Sequence, residues 1–290
     1  MNPEIFHNEL FAKIKNFISK DKGILDESIG ESDYAEILSL TEKDLPDLRK
    51  LARLWLEFSG NEEDRIRWNV AITAWRAAAA VNITEAVRLM LELLDNAEKL
   101  KIESDLLMTD LEQAGKMADK AAIVFLCDFI QIKTYGDYTT ISAVDCLACA
   151  AKNNHDMENI VKDAMAKRFM DYENNSSSLN AFLIDGLTDL EAVELAETME
   201  RAFAAGKVDE SHVGIWEDIR YKLGVPGMGL VPDGVRVTPD PFKELKEKLR
   251  KLTAQTMVQN RQLQEKIKKN KRKEKKVLKK IRKMKRKGKR

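Results

Sequence analysis

Apolar positions along the chain recur at helical spacing. Trp68, Ile72, Trp75 and Ala79 fall at i, i+4, i+7 and i+11, and Ile83, Val87, Met90 and Leu94 repeat that spacing after a break at Asn82. Each set forms a one-faced apolar stripe on a helix. The same reading predicts helices over 103–114, 116–132, 139–152, 156–173, 178–187, 189–205 and 211–222. Phe125 to Ile132 is apolar enough to suit a strand, but its setting argues for a buried helix. End signals fit this division. Thr41 precedes Leu45 with Asp44 at the third position, and Thr84 opens the second stripe. Gly206 follows Ala204-Ala205, where a left-handed helix cap suits a glycine. Period-two alternation, the mark of a half-buried strand, is nearly absent.

Helices of about 10–20 residues, joined by connections of a few residues, suggest antiparallel pairs stacked in sequence. The expected fold is therefore all-α, an α-solenoid with units of roughly 35–45 residues. No motif recurs at fixed spacing, so a compact, non-repeating helical bundle is the structural alternative.

Two stretches resemble a known family. Trp75-Arg76-Ala77-Ala78-Ala79-Ala80, followed by Ala86-Val87-Arg88-Leu89-Met90-Leu91-Glu92-Leu93-Leu94-Asp95, resembles the helix pairs of bacterial HEAT-like repeat proteins. The second runs from Leu179-Asn180-Ala181-Phe182-Leu183-Ile184 through Ala192-Val193-Glu194 and Ala202-Phe203-Ala204-Ala205-Gly206-Lys207-Val208-Asp209-Glu210-Ser211 to Gly214-Ile215-Trp216-Glu217-Asp218. It looks like the C-terminal part of uncharacterised bacterial HEAT-repeat proteins that also end in a lysine-rich tail. The resemblance covers most of residues 35–222 and implies a HEAT-like α-solenoid without implying an activity. Phycobilin-lyase-type HEAT proteins share the plan more distantly, and no residue here marks a bilin site.

Charge divides the chain. Its net charge is only +1, yet residues 241–290 hold 23 basic and 4 acidic residues, a net of +19. The preceding residues hold 26 basic and 44 acidic ones, a net of −18. An acidic body joined to a basic tail marks an interaction tail. Between them, residues 224–241 gather four of the six prolines and four of the thirteen glycines. The expected organisation is an acidic helical body at 1–223, a Pro/Gly linker at 224–240, an amphipathic helix at 241–265 and a Lys/Arg-rich tail at 266–290. Asp240-Pro241 makes a good helix start, and Phe242, Leu245, Leu249 and Leu252 form a heptad-like seam. The seam fails at Thr256 and Gln259, which argues against a sustained coiled coil. Residues 266–290 contain 17 Lys or Arg and a single acid, Glu274, so like charges repel at i, i+4 and the segment is expected to be disordered or frayed.

Candidate chemistry in the body is sparse. No run of eighteen uncharged apolar residues predicts a membrane-spanning helix, and the first twenty residues lack the apolar core of a secretory signal. Three cysteines do not make a disulfide framework, and a cytoplasmic setting is the simplest expectation. Cys146 and Cys149 have metal-ligand spacing, with His155 and Cys127 nearby. They sit in a small-residue helical stretch without a Gly or Pro to make a knuckle turn, so they read as packing residues. His7, His155 and His212 are far apart and lack a nucleophile partner. Glu62-Glu63-Asp64 and Asp209-Glu210 read as acidic first turns of helices. Trp55, Trp68, Trp75 and Trp216 read as interhelix packing rather than as a ligand groove. No phosphate loop, metalloprotease, nucleophile-elbow or EF-hand pattern occurs. No catalytic residue, metal or cofactor is expected.

The sharpest candidates lie in the tail. Lys268, Lys269, Lys271, Arg272, Lys273, Lys275, Lys276, Lys279, Lys280, Arg282, Lys283, Lys285, Arg286, Lys287, Lys289 and Arg290 suit the phosphates of RNA, DNA or the ribosome. With no Tyr or Trp among them, they favour backbone contact and counterion release over base stacking. Two other readings stand beside this one. Val277, Leu278, Ile281 and Met284 make a narrow apolar face for an anionic membrane, and a solvated tail could instead fold back on the acidic body. The functional expectation is a non-enzymatic binding or scaffold protein, with a protein partner on the helical body and phosphates on the tail. A cofactor-handling HEAT-like enzyme is the alternative.

Overall fold

The computed structural model describes residues 9–20, 34–57 and 62–225, and every structural statement below concerns these. The chain divides into two units, Met1–Pro226 and Gly227–Arg290. The expected amphipathic helix at 241–265, the tail at 266–290 and nearly all of the linker lie outside the described residues.

Among the described residues the protein is all-α. The helices are α1 (Glu9–Lys20), α2 (Tyr34–Ile37), α3 (Leu45–Ala52), α4 (Glu62–Val81), α5 (Ile83–Leu100), α6 (Asp105–Met117) and α7 (Lys120–Phe129). They continue as α8 (Asp137–Asn153), α9 (Glu158–Phe169), α10 (Ser177–Asp189), α11 (Ala196–Ala204), α12 (Glu210–Val213) and α13 (Trp216–Lys222), with short 3-10 turns between some of them. Ends form where polar side chains meet orphan backbone donors. Asn82 Oδ1 accepts from Glu85 N at 3.1 Å and opens α5. Asp119 Oδ1 accepts from Ala122 N at 2.8 Å, and Ser176 Oγ from Leu179 N at 3.1 Å. Thr41 N donates to Asp44 Oδ2 at 2.8 Å, closing the turn ahead of α3.

Several helix limits differ from the sequence expectation for local reasons. The stretch 211–222 is two helices, because Gly214 takes φ +88° and breaks the ladder. The span 116–132 is interrupted at Ala118-Asp119, where Asp119 caps a new helix. The span 189–205 begins with a turn, since Glu191 adopts φ +52°. The cap of α5 is Asn82 rather than Thr84, which instead donates its hydroxyl to Asp119 Oδ1 at 2.8 Å. Gly206 has φ +64°, the left-handed cap that its sequence setting suggests.

Packing follows chain order. The pairs α4–α5, α5–α6, α7–α8, α8–α9 and α9–α10 touch as sequence neighbours. In addition α6 lies on α8, α8 on α10 and α10 on α12, while α5 lies on α7 and α7 on α9. Helices α5 to α8, and α10, thus each rest on the helix two places further along. Polar ties between helices two places apart carry the same rhythm. Arg49–Glu85 spans 36 residues, Thr84–Asp119 35, Glu112–Cys149 37, Ala118–Asn154 36 and Gln131–Ala164 33. These values are the length of one helix pair.

Two contacts fix the centre. Asp110 of α6 is 1% exposed and accepts from Trp75 Nε1 at 2.7 Å, from Arg76 Nε at 2.7 Å and from Arg76 Nη2 at 3.2 Å. The carboxylate is satisfied by three donors of α4, as a charge removed from water requires. Five residues on, Gly115 faces α8 at close range. A Cβ built there stands 2.3 Å from the Cys146 carbonyl oxygen, so only glycine allows the observed separation.

Gly115→Ala therefore drives α6 away from α8. The obstacle is backbone, so the helix-propensity gain of about 1 kcal/mol is outweighed by overpacking of about 1–3 kcal/mol or more. The expected outcome is a lower urea midpoint, followed by circular dichroism. Asp110→Ala removes the buried acceptor shared by Trp75 and Arg76, and a loss of about 3 kcal/mol or more is expected in the same assay.

Candidate binding groove on the face of α3, α5 and α7

Helix α5 is amphipathic. Ala86, Val87, Leu89, Met90, Leu93 and Leu94 are buried on one side. The other side presents Glu85, Arg88, Glu92 and Asp95, which helical spacing aligns in a row. Arg49 of α3 borders this row on one flank. Phe125 and Phe129 of α7, with Tyr135 from the following connection, border it on the other. Together they line a groove of about 450 Å³.

Its charges are largely matched. Arg49 lies 3.4 Å from Glu85, and Arg88 lies 3.5 Å from the same carboxylate. Arg53, just beyond α3, holds Glu92 through its Nε at 2.9 Å. The Arg88 guanidinium also sits 4.0 Å from the centre of the Phe125 ring. Phe129 and Tyr135 stack with centroids 4.3 Å apart and planes 19° from parallel. Asp95 is matched through one oxygen only. It is only 9% exposed, and its Oδ2 accepts from Lys99 Nζ at 2.6 Å. Its Oδ1 is buried and has no hydrogen-bond partner.

The residues singled out in the sequence fall elsewhere. The sixteen tail cations and His7 lie outside the described residues. Cys146 is buried in α8, and Cys149 is half-buried there with its sulfur 4.0 Å from Glu112 Oε1. Burial pushes both thiols up, and that of Cys127 to about 11, with Asp128 adding to the effect there. A thiol held protonated is a poor nucleophile and a poor metal ligand. Among the described residues, no three His, Cys, Asp or Glu side chains gather in a metal-binding group. His155 is exposed beside Glu158 at 3.6 Å, and His212 stacks on Phe182 at 3.8 Å. Trp55 and Trp75 are buried edge to face at 5.9 Å, Trp68 packs on the core, and Trp216 packs 5.9 Å from Phe203. Asp209 caps α12 and Glu210 starts it. Among the described residues, no helix is long and apolar enough to cross a membrane.

The sequence reading missed the groove. Its one available signal was the polar row on α5, which looks like any solvated helix face. The aromatic wall comes from another helix pair, so the juxtaposition exists only in three dimensions.

A second polar row crosses the opposite set of helices. Asp145 of α8 is half-buried, and its pKa is raised first by burial and then by Glu112 of α6 and Asp185 of α10. A carboxyl with a raised folded-state pKa opposes folding when ionised, so its destabilising effect is full above the folded value. Stability from this group increases as pH falls through the folded value toward the ordinary 3.8. Asp145→Asn is expected to raise the thermal midpoint at pH 7 by roughly 1–3 °C. The advantage over the parent should vanish below the ordinary carboxylate range, where Asp145 is neutral in both states. Paired melts at the two pH values check this.

No family model, curated protein or solved structure matches this chain.

Proposed function

We propose that the body is an α-solenoid that holds a protein segment along the face of α3, α5 and α7, and that the Lys/Arg-rich tail contacts nucleic-acid or ribosomal phosphates. The observation that carries the first half is the groove itself. It crosses three helices and presents aromatic faces beside charges already matched to one another. Such a surface suits recognition of an extended segment, with a few fixed polar groups setting orientation. Two features favour a solenoid: helices α5 to α8, and α10, each rest on the next but one, and the polar ties recur at the spacing of one helix pair. In that plan every unit buries its apolar face against its neighbours, leaving rows of surface for a partner. The protein is then a scaffold rather than an enzyme.

A random peptide library displayed on phage and selected on the full-length protein tests the body. Enriched peptides are expected to lose at least about tenfold in affinity to a Glu92→Arg variant, a change of about 1.4 kcal/mol. Unchanged binding would remove the groove from the reading.

For the tail, the support is its composition: 17 cations against one acid, with no aromatic residue. Binding to an unstructured RNA is expected for residues 1–290 and not for 1–240. The logarithm of affinity should fall linearly with that of salt, at about 0.7 per phosphate neutralised. If anionic vesicles bind and RNA does not, the membrane reading replaces this one. Failure of both at low salt leaves the tail without a phosphate role.

A further inference from the structure

We infer that the groove takes a proline-rich segment in the extended polyproline II form, with a pyrrolidine ring against Tyr135 and the free carbonyls accepting from Arg49 and Arg88. This rests on the protein-binding reading above and names the class of segment recognised.

The acceptors of the groove are already engaged. Glu85 meets Arg49 through Oε2 and Arg88 through Oε1. Glu92 Oε1 holds two N–H groups of Arg53. Asp95 Oδ2 holds Lys99, and its Oδ1 is closed to solvent. The donors are not engaged to the same degree. A guanidinium carries five N–H groups, yet Arg49 and Arg88 each reach a single carboxylate, at 3.4 and 3.5 Å. Most of their N–H groups therefore have no protein acceptor, and a ligand rich in acceptors and poor in donors is favoured. That ligand is neutral. An incoming carboxylate or phosphate would meet Glu85 beside both arginines, within a body of net charge −18.

Peptide carbonyls are neutral acceptors, but most residues bring an N–H with each one. An N–H buried against this groove would need an acceptor that is already taken. Proline brings none. A polyproline II segment also makes no internal hydrogen bonds, so its carbonyls are free for a partner. The aromatic wall suits the same residue. Tyr135 is half-buried and stacks on the buried Phe129 at 4.3 Å, which holds its ring in place. Arg88 lies over Phe125 at 4.0 Å, so its donors are set before any ligand arrives. A fixed aromatic ring beside preset donors is a surface on which proline rings dock, and the stiff backbone of proline lowers the entropy lost on binding.

The test uses the full-length protein and two unlabelled ten-residue peptides, decaproline and a Gly/Ser sequence, with both ends blocked. Isothermal titration calorimetry should show decaproline binding at least about tenfold tighter. Its affinity should change less than about twofold between roughly 0.05 and 0.5 M salt, because no ion pair forms. Tyr135→Ala and Arg88→Met should each weaken decaproline about fivefold or more. Thermal melts establish that both variants are folded, and the two lie on different elements, so either provides the test if the other destabilises the body. Equal affinity for the two peptides, no detectable binding of decaproline, or a proline preference that survives both substitutions overturns the inference. If decaproline fails while library-selected peptides still lose affinity to Glu92→Arg, the protein-binding reading stands and only the proline assignment falls. If both fail, both are lost.

Discussion

The carboxylate of Asp110 is the point on which the arrangement of the body turns. It is buried, it is charged, and it is satisfied only by Trp75 and Arg76 of the preceding helix pair. A buried ion pair contributes little net stability, because desolvation of both ions offsets their attraction. What this one supplies is register. Three donors on α4 converge on two oxygens, and a shift of α6 by one residue would break all of them. Once α6 is set, Gly115 brings it against the Cys146 carbonyl and so places α8. Helix α5 follows α4 through Asn82 alone, so its position between α3 and α7 descends from the same lock. The groove is thus a distant consequence of one aspartate.

Similar locks recur along the body, each tying a residue to a partner about one helix pair away. Glu98 at the end of α5 accepts from the backbone amides of Tyr138 and Thr139 at 3.2 and 3.1 Å, and from the Thr139 hydroxyl at 2.9 Å. It caps a helix that begins some forty residues further on. The same carboxylate explains Gly136, because a Cβ there would fall 2.1 Å from the Glu98 carboxyl carbon. Asn154 reaches back to the Ala118 carbonyl at 3.2 Å, and Asn180 forward to that of Lys207 at 2.8 Å. These side chains satisfy the backbone groups that helix ends leave bare. Apolar burial supplies the driving force, while the polar ties select one stacking out of many similar ones.

Much of this was legible in the sequence, and the rest was not for definable reasons. The stripes Trp68–Ala79 and Ile83–Leu94 predicted α4 and α5, and Gly206 announced its left-handed cap, because periodicity and capping are local properties. The split at Gly214 was missed because an apolar pattern runs across it, while the break depends on one residue's backbone angle. Glu191 left no signal, since a non-glycine at positive φ is chosen by its surroundings rather than by its own preference. The four tryptophans were rightly read as packing. The groove escaped because Asp95 and Phe129 are 34 positions apart and are brought together only by the packing of α5 on α7. No motif recurs in the sequence at the spacing that separates α5 from α7, so nothing local aligns the two helices.

The internal pairing of the groove bears on how it would bind. Had Glu85 and Glu92 stood alone, mutual repulsion with Asp95 would splay the side chains and leave them to be ordered on binding. Arg49, Arg53 and Arg88 remove that repulsion and fix the carboxylates before any ligand arrives. Ordering a long side chain costs about 0.5–1.5 kcal/mol, so a preset surface returns more of its contact energy as affinity. In the proposed binding role the pairs would also set specificity. An incoming cation gains little at a carboxylate that already has its arginine, and an incoming anion gains little at an arginine that already has its carboxylate.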